Sequence, residues 1–136
     1  MSSASDYLEL EILDHVLGKG TRDFTSPANL FIGLHTTDPG DVYSSGEVSG
    51  NAYQRTAVSF NAATQPSTGY TYADNAATVT FPTASGGNWG TITHLSIWDN
   101  SSGGNMLFAG SLTQSKSVLD GDTFQIQAGS LVISLT

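Results

Sequence analysis

Thr91-Ile92-Thr93-His94-Leu95-Ser96-Ile97-Trp98-Asp99 is the stretch from which the fold is read. Thr93, Leu95 and Ile97 alternate with Ile92, His94, Ser96 and Trp98, and bulk on both sets is the pattern of a strand buried in the middle of a sheet. Asn100-Ser101-Ser102-Gly103-Gly104 follows, rich in residues that tolerate positive φ, and Met106–Leu112 then reads as the returning strand of a hairpin.

Outward from this hairpin, short extended segments alternate with Gly, Asn, Asp, Ser and Pro clusters. Leu30-Phe31-Ile32-Gly33-Leu34-His35 is a nearly continuous apolar run, a central strand that ends at the turn Thr37-Asp38-Pro39-Gly40. Beyond a polar stretch to Ala52, strands are expected at Tyr53–Phe60 and at Ala77–Phe81, the latter with Val79 and Phe81 on one face. Asn61–Asn75 between them reads as a long loop with a short strand at Gly69–Tyr72. Ser117–Leu119 and Thr123–Gln127 flank the turn Asp120-Gly121-Asp122 as another pair, and Leu131, Ile133 and Leu135 finish the chain.

One segment breaks this pattern. From Asp6 to Gly18, Tyr7, Leu8, Leu10, Ile12, Leu13, Val16 and Leu17 recur at spacings of three and four, which predicts a helix. Ser5 or Asp6 is its N-cap, Glu9 the capping-box partner, and Gly18 with Gly20 its stop. The apolar positions cover more than one stripe, so the helix wants burial on two sides. With about eight strands and one helix, the expected fold is mainly β: an antiparallel β-sandwich, jelly-roll-like or immunoglobulin-like, with one N-terminal α-helix. The expected organisation is one domain over 1–136, with the helix in 1–20 and the sandwich in 28–136.

Composition bounds the function. Only 12% of the residues are charged, against roughly 25% in an average domain, so Ser, Thr, Asn, Gln and Gly must cover the surface. Four basic residues, Lys19, Arg22, Arg55 and Lys116, face twelve acidic ones, and a net charge of −8 repels phosphate backbones. Nucleic acid is therefore not an expected partner. No apolar run approaches the roughly 20 residues of a membrane-spanning helix, and Met1–Asp6 lacks the basic and apolar segments of a signal peptide. The expectation is a protein made and assembled in a cytoplasm, with no membrane partner.

Residues with chemistry are sparse and scattered. His15, His35 and His94 lie in three different elements without a ligand partner at metal-binding spacing, and the chain has no cysteine. The serines show no nucleophile elbow, and Asp38, Asp41, Glu47 and Asp74 sit in turn-rich segments where acids serve turn chemistry. No catalytic residue and no cofactor is expected. Asp38 with Asp41, and Asp120 with Asp122, offer oxygens that a structural calcium ion could use, although neither follows the helical calcium-loop pattern. Tyr43, Tyr53, Tyr70, Tyr72 and Trp89 fall in or beside loops, where aromatic side chains anchor subunit contacts or stack on sugars. The interface residues expected from this reading are Tyr7, Leu8, Ile12, Tyr70, Tyr72 and Trp89.

Several segments in order carry a resemblance: Tyr7–Gly18, Leu30–Pro39, Gly46-Glu47-Val48-Ser49-Gly50-Asn51-Ala52-Tyr53-Gln54-Arg55, Phe81-Pro82, Trp89–His94, Ile97-Trp98-Asp99 and Gly104–Leu112. Together they resemble a family of small tailed-bacteriophage virion proteins known as phage tail fibre proteins, over nearly the whole chain. The resemblance implies a non-enzymatic virion component, and it brings no catalytic residue to carry over. The expected partners are copies of itself, with a trimer favoured on grounds of symmetry, and other virion proteins. A tail, fibre or baseplate subunit is the leading role; a capsid decoration (cement) protein and a receptor- or glycan-binding module are the alternatives. The repeated motifs have physical roles as well: Glu47 pairs with Arg55, Trp89-Gly90 starts the central strand, and Phe81-Pro82 ends a neighbouring one.

Overall fold

The computed structural model describes residues 2–20, 24–41 and 45–135; Tyr43, one of the loop aromatics named above, lies outside them. In chain order the elements are β1 (Ser2–Ala4), α1 (Asp6–Leu17), β2 (Leu30–His35), β3 (Thr56–Val58), β4 (Thr64–Ser67), β5 (Tyr70–Asp74), β6 (Val79–Thr80), β7 (Gly90–Trp98), β8 (Met106–Val118), β9 (Gln125–Ile126) and β10 (Val132–Leu135). Every pairing is antiparallel. A five-stranded sheet, β1-β8-β7-β2-β3, faces two smaller ones, β10-β5-β4 and β6-β9. The core lies between them: Ile32, Leu34, Leu95 and Ile97 from the large sheet pack with Val79, Phe81, Phe124 and Ile126. Phe81 and Phe124 meet edge to face at 5.7 Å. This is the expected mainly β sandwich with its N-terminal helix.

The helix follows its local signals. Ser5 is extended and its hydroxyl accepts from the Leu8 amide, while Gly18 ends the helix in the left-handed region at φ 69° and donates its amide to the Asp14 carbonyl. Glu9 stands one position beyond that of a capping-box partner, and acts only as an acid in the first turn. Ser5 also ties the helix to the sheet, donating its hydroxyl to the Met106 carbonyl and its amide to that of Leu107. β1, which had no sequence signal, pairs Ser2–Ala4 with Phe108–Gly110.

Three expectations change. Alternation puts Ile92 on the face of His94, Ser96 and Trp98, yet Ile92 is buried in the core beside Leu95 and Ile97. The register between β7 and β8 shifts between Ile92 and His94, and such an irregularity moves every side chain beyond it to the other face. Asn61–Asn75 holds the strand expected at Gly69–Tyr72, as β5, but also a second strand, β4, so the segment is a hairpin turned at Gly69, whose φ is 81°. Its first strand, Thr-Gln-Pro-Ser, is fully exposed and lacks any apolar alternation, and its Pro66 sits on a sheet edge, where no ladder bond is lost. The third change concerns Ser117–Gln127: the turn forms, with Asp122 Oδ2 accepting from the Leu119 amide at 2.9 Å, but its arms do not pair. Val118 pairs with Gly90 and Ile126 with Val79, so the turn carries the chain from one layer to the other.

The second layer is joined by one buried side chain. Asn75 Nδ2 donates to the Ala77 and Gln127 carbonyls at 2.9 and 3.0 Å, and its Oδ1 accepts from the Leu131 amide at 2.9 Å. It thereby links the approach to β6, the end of β9 and the start of β10. Asn75→Ala takes a partner from the Ala77 carbonyl and the Leu131 amide and leaves the Gln127 carbonyl with the Ser130 amide alone; it is expected to cost roughly 2–4 kcal/mol, read as a lower urea midpoint with an unchanged m-value.

Candidate functional site

Helix α1 presents the first candidate surface. At about 100° per residue, Asp6, Leu10, Leu13 and Leu17 fall on one line and Leu8 on the opposite one. Leu8 is only 4% exposed, whereas Leu10, Leu13 and Leu17 are 61%, 57% and 66% exposed. The chain thus buries Leu8 on one side of the helix and leaves a leucine stripe on the other. Single exposed leucines need no explanation, but a contiguous apolar patch on a monomer marks an interaction site.

The six expected interface residues separate accordingly. Tyr7 and Ile12 are exposed on α1, Tyr70 is exposed at the start of β5, and Tyr72 is half-buried. Tyr70 and Tyr72 stack on each other, with ring centroids 5.3 Å apart and planes tilted by 31°. Leu8 and Trp89, by contrast, are buried within the chain. Trp89 packs edge to face on Tyr53 at 5.3 Å and donates its indole N–H to the Asn51 carbonyl at 2.9 Å. Gly86-Gly87-Asn88 before it gives it the look of a loop aromatic, but it leads directly into β7 and its amide bonds the Val118 carbonyl. The stripe of Leu10, Leu13 and Leu17 carries more exposed apolar surface than the residues chosen from α1 at the outset.

A buried polar network lies on the outer face of the large sheet. Arg55 Nε and NH2 donate to Glu47 Oε1 and Oε2 at 2.7 and 2.9 Å, and its NH1 donates to the carbonyls of Asn100 and Gly103. The guanidinium also lies 3.6 Å from the centre of the Trp98 ring. The expected Glu47–Arg55 pair is therefore present, and it joins the loop before β3 to the loop between β7 and β8. Tyr53 donates its hydroxyl to Glu47 Oε1 and accepts the Leu34 amide, both at 3.0 Å. Trp98 Nε1 donates to Ser96 Oγ at 2.6 Å, and Ser96 Oγ lies 2.6 Å from His35 Nε2. His35 Nδ1 lies 2.8 Å from the Ser45 carbonyl, an acceptor only. The neutral ring therefore carries its proton on Nδ1, and the Ser96 hydroxyl donates to Nε2.

Burial governs the charges. It pushes the His35 ring below its ordinary value, against the Ser45 hydrogen bond and the Glu47 charge. Burial alone would raise the Glu47 carboxyl, but hydrogen bonds from Arg55 and Tyr53 and the Arg55 charge outweigh it and hold the acid below its usual range. Burial likewise raises the Tyr53 hydroxyl. A serine hydroxyl bonded to a histidine has the form of an activated nucleophile. Ser96 and His35 are both fully buried, however, and His35 is oriented by a backbone carbonyl rather than by a carboxylate. The pair is sealed from any substrate.

Gly33, Ser96 and Asn51 were missed from sequence. Gly33 had a signal, since glycine inside an apolar strand marks close approach: a Cβ there would stand 2.7 Å from Ser96 Oγ and 3.1 Å from both Glu47 Oε1 and Trp98 Nε1. Asp38 and Asp122 act as turn formers, accepting from the Gly40 and Leu119 amides, whereas Asp120 Oδ1 joins its turn to another loop by accepting from the Gly86 amide. Among the described residues no group of three His, Asp or Glu could hold a metal ion, and no helix is long and apolar enough to cross a membrane.

Two outcomes test the network. Glu47→Gln strips the Arg55 guanidinium, whose side chain is 8% exposed, of its counter-charge and is expected to cost about 3–5 kcal/mol in urea unfolding. Because the folded His35 value lies below the unfolded one, the unfolded chain takes up its proton first as the pH falls. The His35 contribution to stability is therefore complete above about pH 6.5 and is lost as the pH drops through the lower folded value. Thermal midpoints measured from pH 7.5 downward should fall in that window, and His35→Gln should remove that part of the slope.

No curated protein matches the chain. A family of phage fibre proteins does, over residues 3–134, which takes in both the leucine-striped helix and the Glu47–Arg55 network. By that match the chain belongs to the family described as podophage GP4 fiber I protein gp80.

Proposed function

We propose that this protein is a non-enzymatic structural subunit of the phage particle, associated with the tail, fibre or baseplate, that works by packing against copies of itself and other virion proteins. The trimer is the favoured assembly, made in the host cytoplasm and carried in the virion. The observation that carries this reading is the exposed stripe of Leu10, Leu13 and Leu17 on a helix that is anchored to its own chain on the opposite side through the buried Leu8. Fully burying one leucine contributes about 1.5–3 kcal/mol, so three per copy are significant for assembly while contributing little to the fold of one chain. The burial of the Ser96–His35 pair and the use of Asp38 and Asp122 in turns support a role without catalysis. Net charge −8 supports partners other than nucleic acid or anionic membrane.

Replacing Leu10, Leu13 and Leu17 together by serine tests the reading. Light scattering of the native protein should give three times the 14.2 kDa chain mass, and the variant should fall to the monomer with an unchanged circular dichroism spectrum. A variant that assembles like the native chain would overturn it.

A further inference from the structure

The sandwich is not closed on one side. Between Ile92, opposite Lys116, and His94, opposite Ser111, β7 has only Thr93 where β8 has Leu112–Ser115, so β8 bows away from its neighbour. Across from this bow stand β9 and β10, which belong to different sheets and do not pair with each other. The result is a cleft of about 450 Å³, lined mainly by apolar side chains. Phe108, Leu112, Leu131 and Ile133 form its lips; they pack on the core yet remain partly exposed.

We infer that the leucine stripe of α1 from one copy seats in this cleft of the next copy. The inference rests on the self-assembly proposed above and assigns its two surfaces. An amphipathic helix laid into an apolar groove is a recurring recognition mode, with anchors spaced as Leu10, Leu13 and Leu17 are. The volume lies within the range of roughly 300–1,000 Å³ that binding clefts occupy, room for several side chains of a helix lying across it. Charge agrees: Lys116, one of four basic residues in the chain, is the only charged residue lining the cleft among the described residues, and Asp6 stands at the end of the leucine stripe.

The helix does not fill its own cleft. Ser5 holds its start at Met106 and Leu107, the end of β8 away from Lys116, and the Asp6 amide is bonded to the Asp41 carbonyl. Its Leu8 side faces its own chain, so the stripe points outward. Each copy then gives one helix and receives one, a head-to-tail contact that generates a closed ring where the rotation closes.

The chain has no cysteine, so introduced thiols report the contact directly. One copy carrying Leu13→Cys is co-expressed with a differently tagged copy carrying Ile133→Cys, and both are gently oxidised. The expected result is a disulfide-linked heterodimer in a large share of the protein, approaching the half that random mixing of the two copies allows, with little linkage when either variant is made alone. Leu17→Cys with Leu112→Cys samples another part of the cleft in the same way. If Leu13→Cys links to itself as readily, helices pair with helices and the seating is overturned while self-assembly stands. An assembled protein in which neither pair links overturns it equally, as does a double variant that links only within one chain. A protein monomeric at every concentration in light scattering overturns the self-assembly reading itself.

Discussion

The two-pronged contact between Arg55 and Glu47 organises the outer face of the large sheet. β3 pairs with β2 only from Leu30 to Ile32, and beyond that point the edge of β2 has no strand beside it. The segment around Glu47 takes its place: the Val48 amide bonds the Leu34 carbonyl, the Thr36 amide bonds Gly46, and the Tyr53 hydroxyl accepts the Leu34 amide. That irregular segment stays in place because Arg55 joins it to the β7–β8 loop and lies on Trp98. A charge pair this well buried is a weak source of net stability against an apolar substitute. What it supplies here is geometry, since a carboxylate that accepts from Arg55 and Tyr53 together admits few alternative loop positions.

The same segment carries a local cost. Asn51 and Ala52 adopt φ of 52° and 68°, and the left-handed region costs a residue with a Cβ roughly 1–2 kcal/mol. The turn is held from both sides: Asn51 accepts from the Trp89 indole and the Ser85 amide and donates to the Asn88 carbonyl. Tyr53, next in the chain, then reaches both Glu47 and Leu34. Network, turn and buried Trp89 therefore form a single arrangement on which the order of three loops depends.

Against this rigid side stands a side that the chain leaves unfinished. The leucine stripe of α1 and the cleft between β8 and the β9–β10 segment are both apolar, and neither is covered within one copy. A surface that is apolar yet poor in charge suits the self-association proposed above. With only 12% charged residues there are few ions to desolvate when such surfaces meet.

By itself the sequence determined the elements whose signals are local: the capped helix at Asp6–Leu17, the Gly90–Trp98 and Met106 hairpin, the strand at Leu30–His35, the turn closed by Asp122, and the pairing of Glu47 with Arg55. Those rest on periodicity, cap residues and turn chemistry, which act over a few positions. Tertiary structure decided what depends on partners far along the chain. Ile92 turned inward because three extra residues of β8 shift the register; the arms of the Asp120–Asp122 turn went to different sheets; Trp89 and Leu8 were buried, and Leu10, Leu13 and Leu17 were left outside. It also brought Ser96 to His35, 61 residues apart, and Asn75 to Gln127 and Leu131. The physical reason is common to all of these: one apolar pattern can be buried on either of two faces, and only the packing of the whole sandwich settles which face it is.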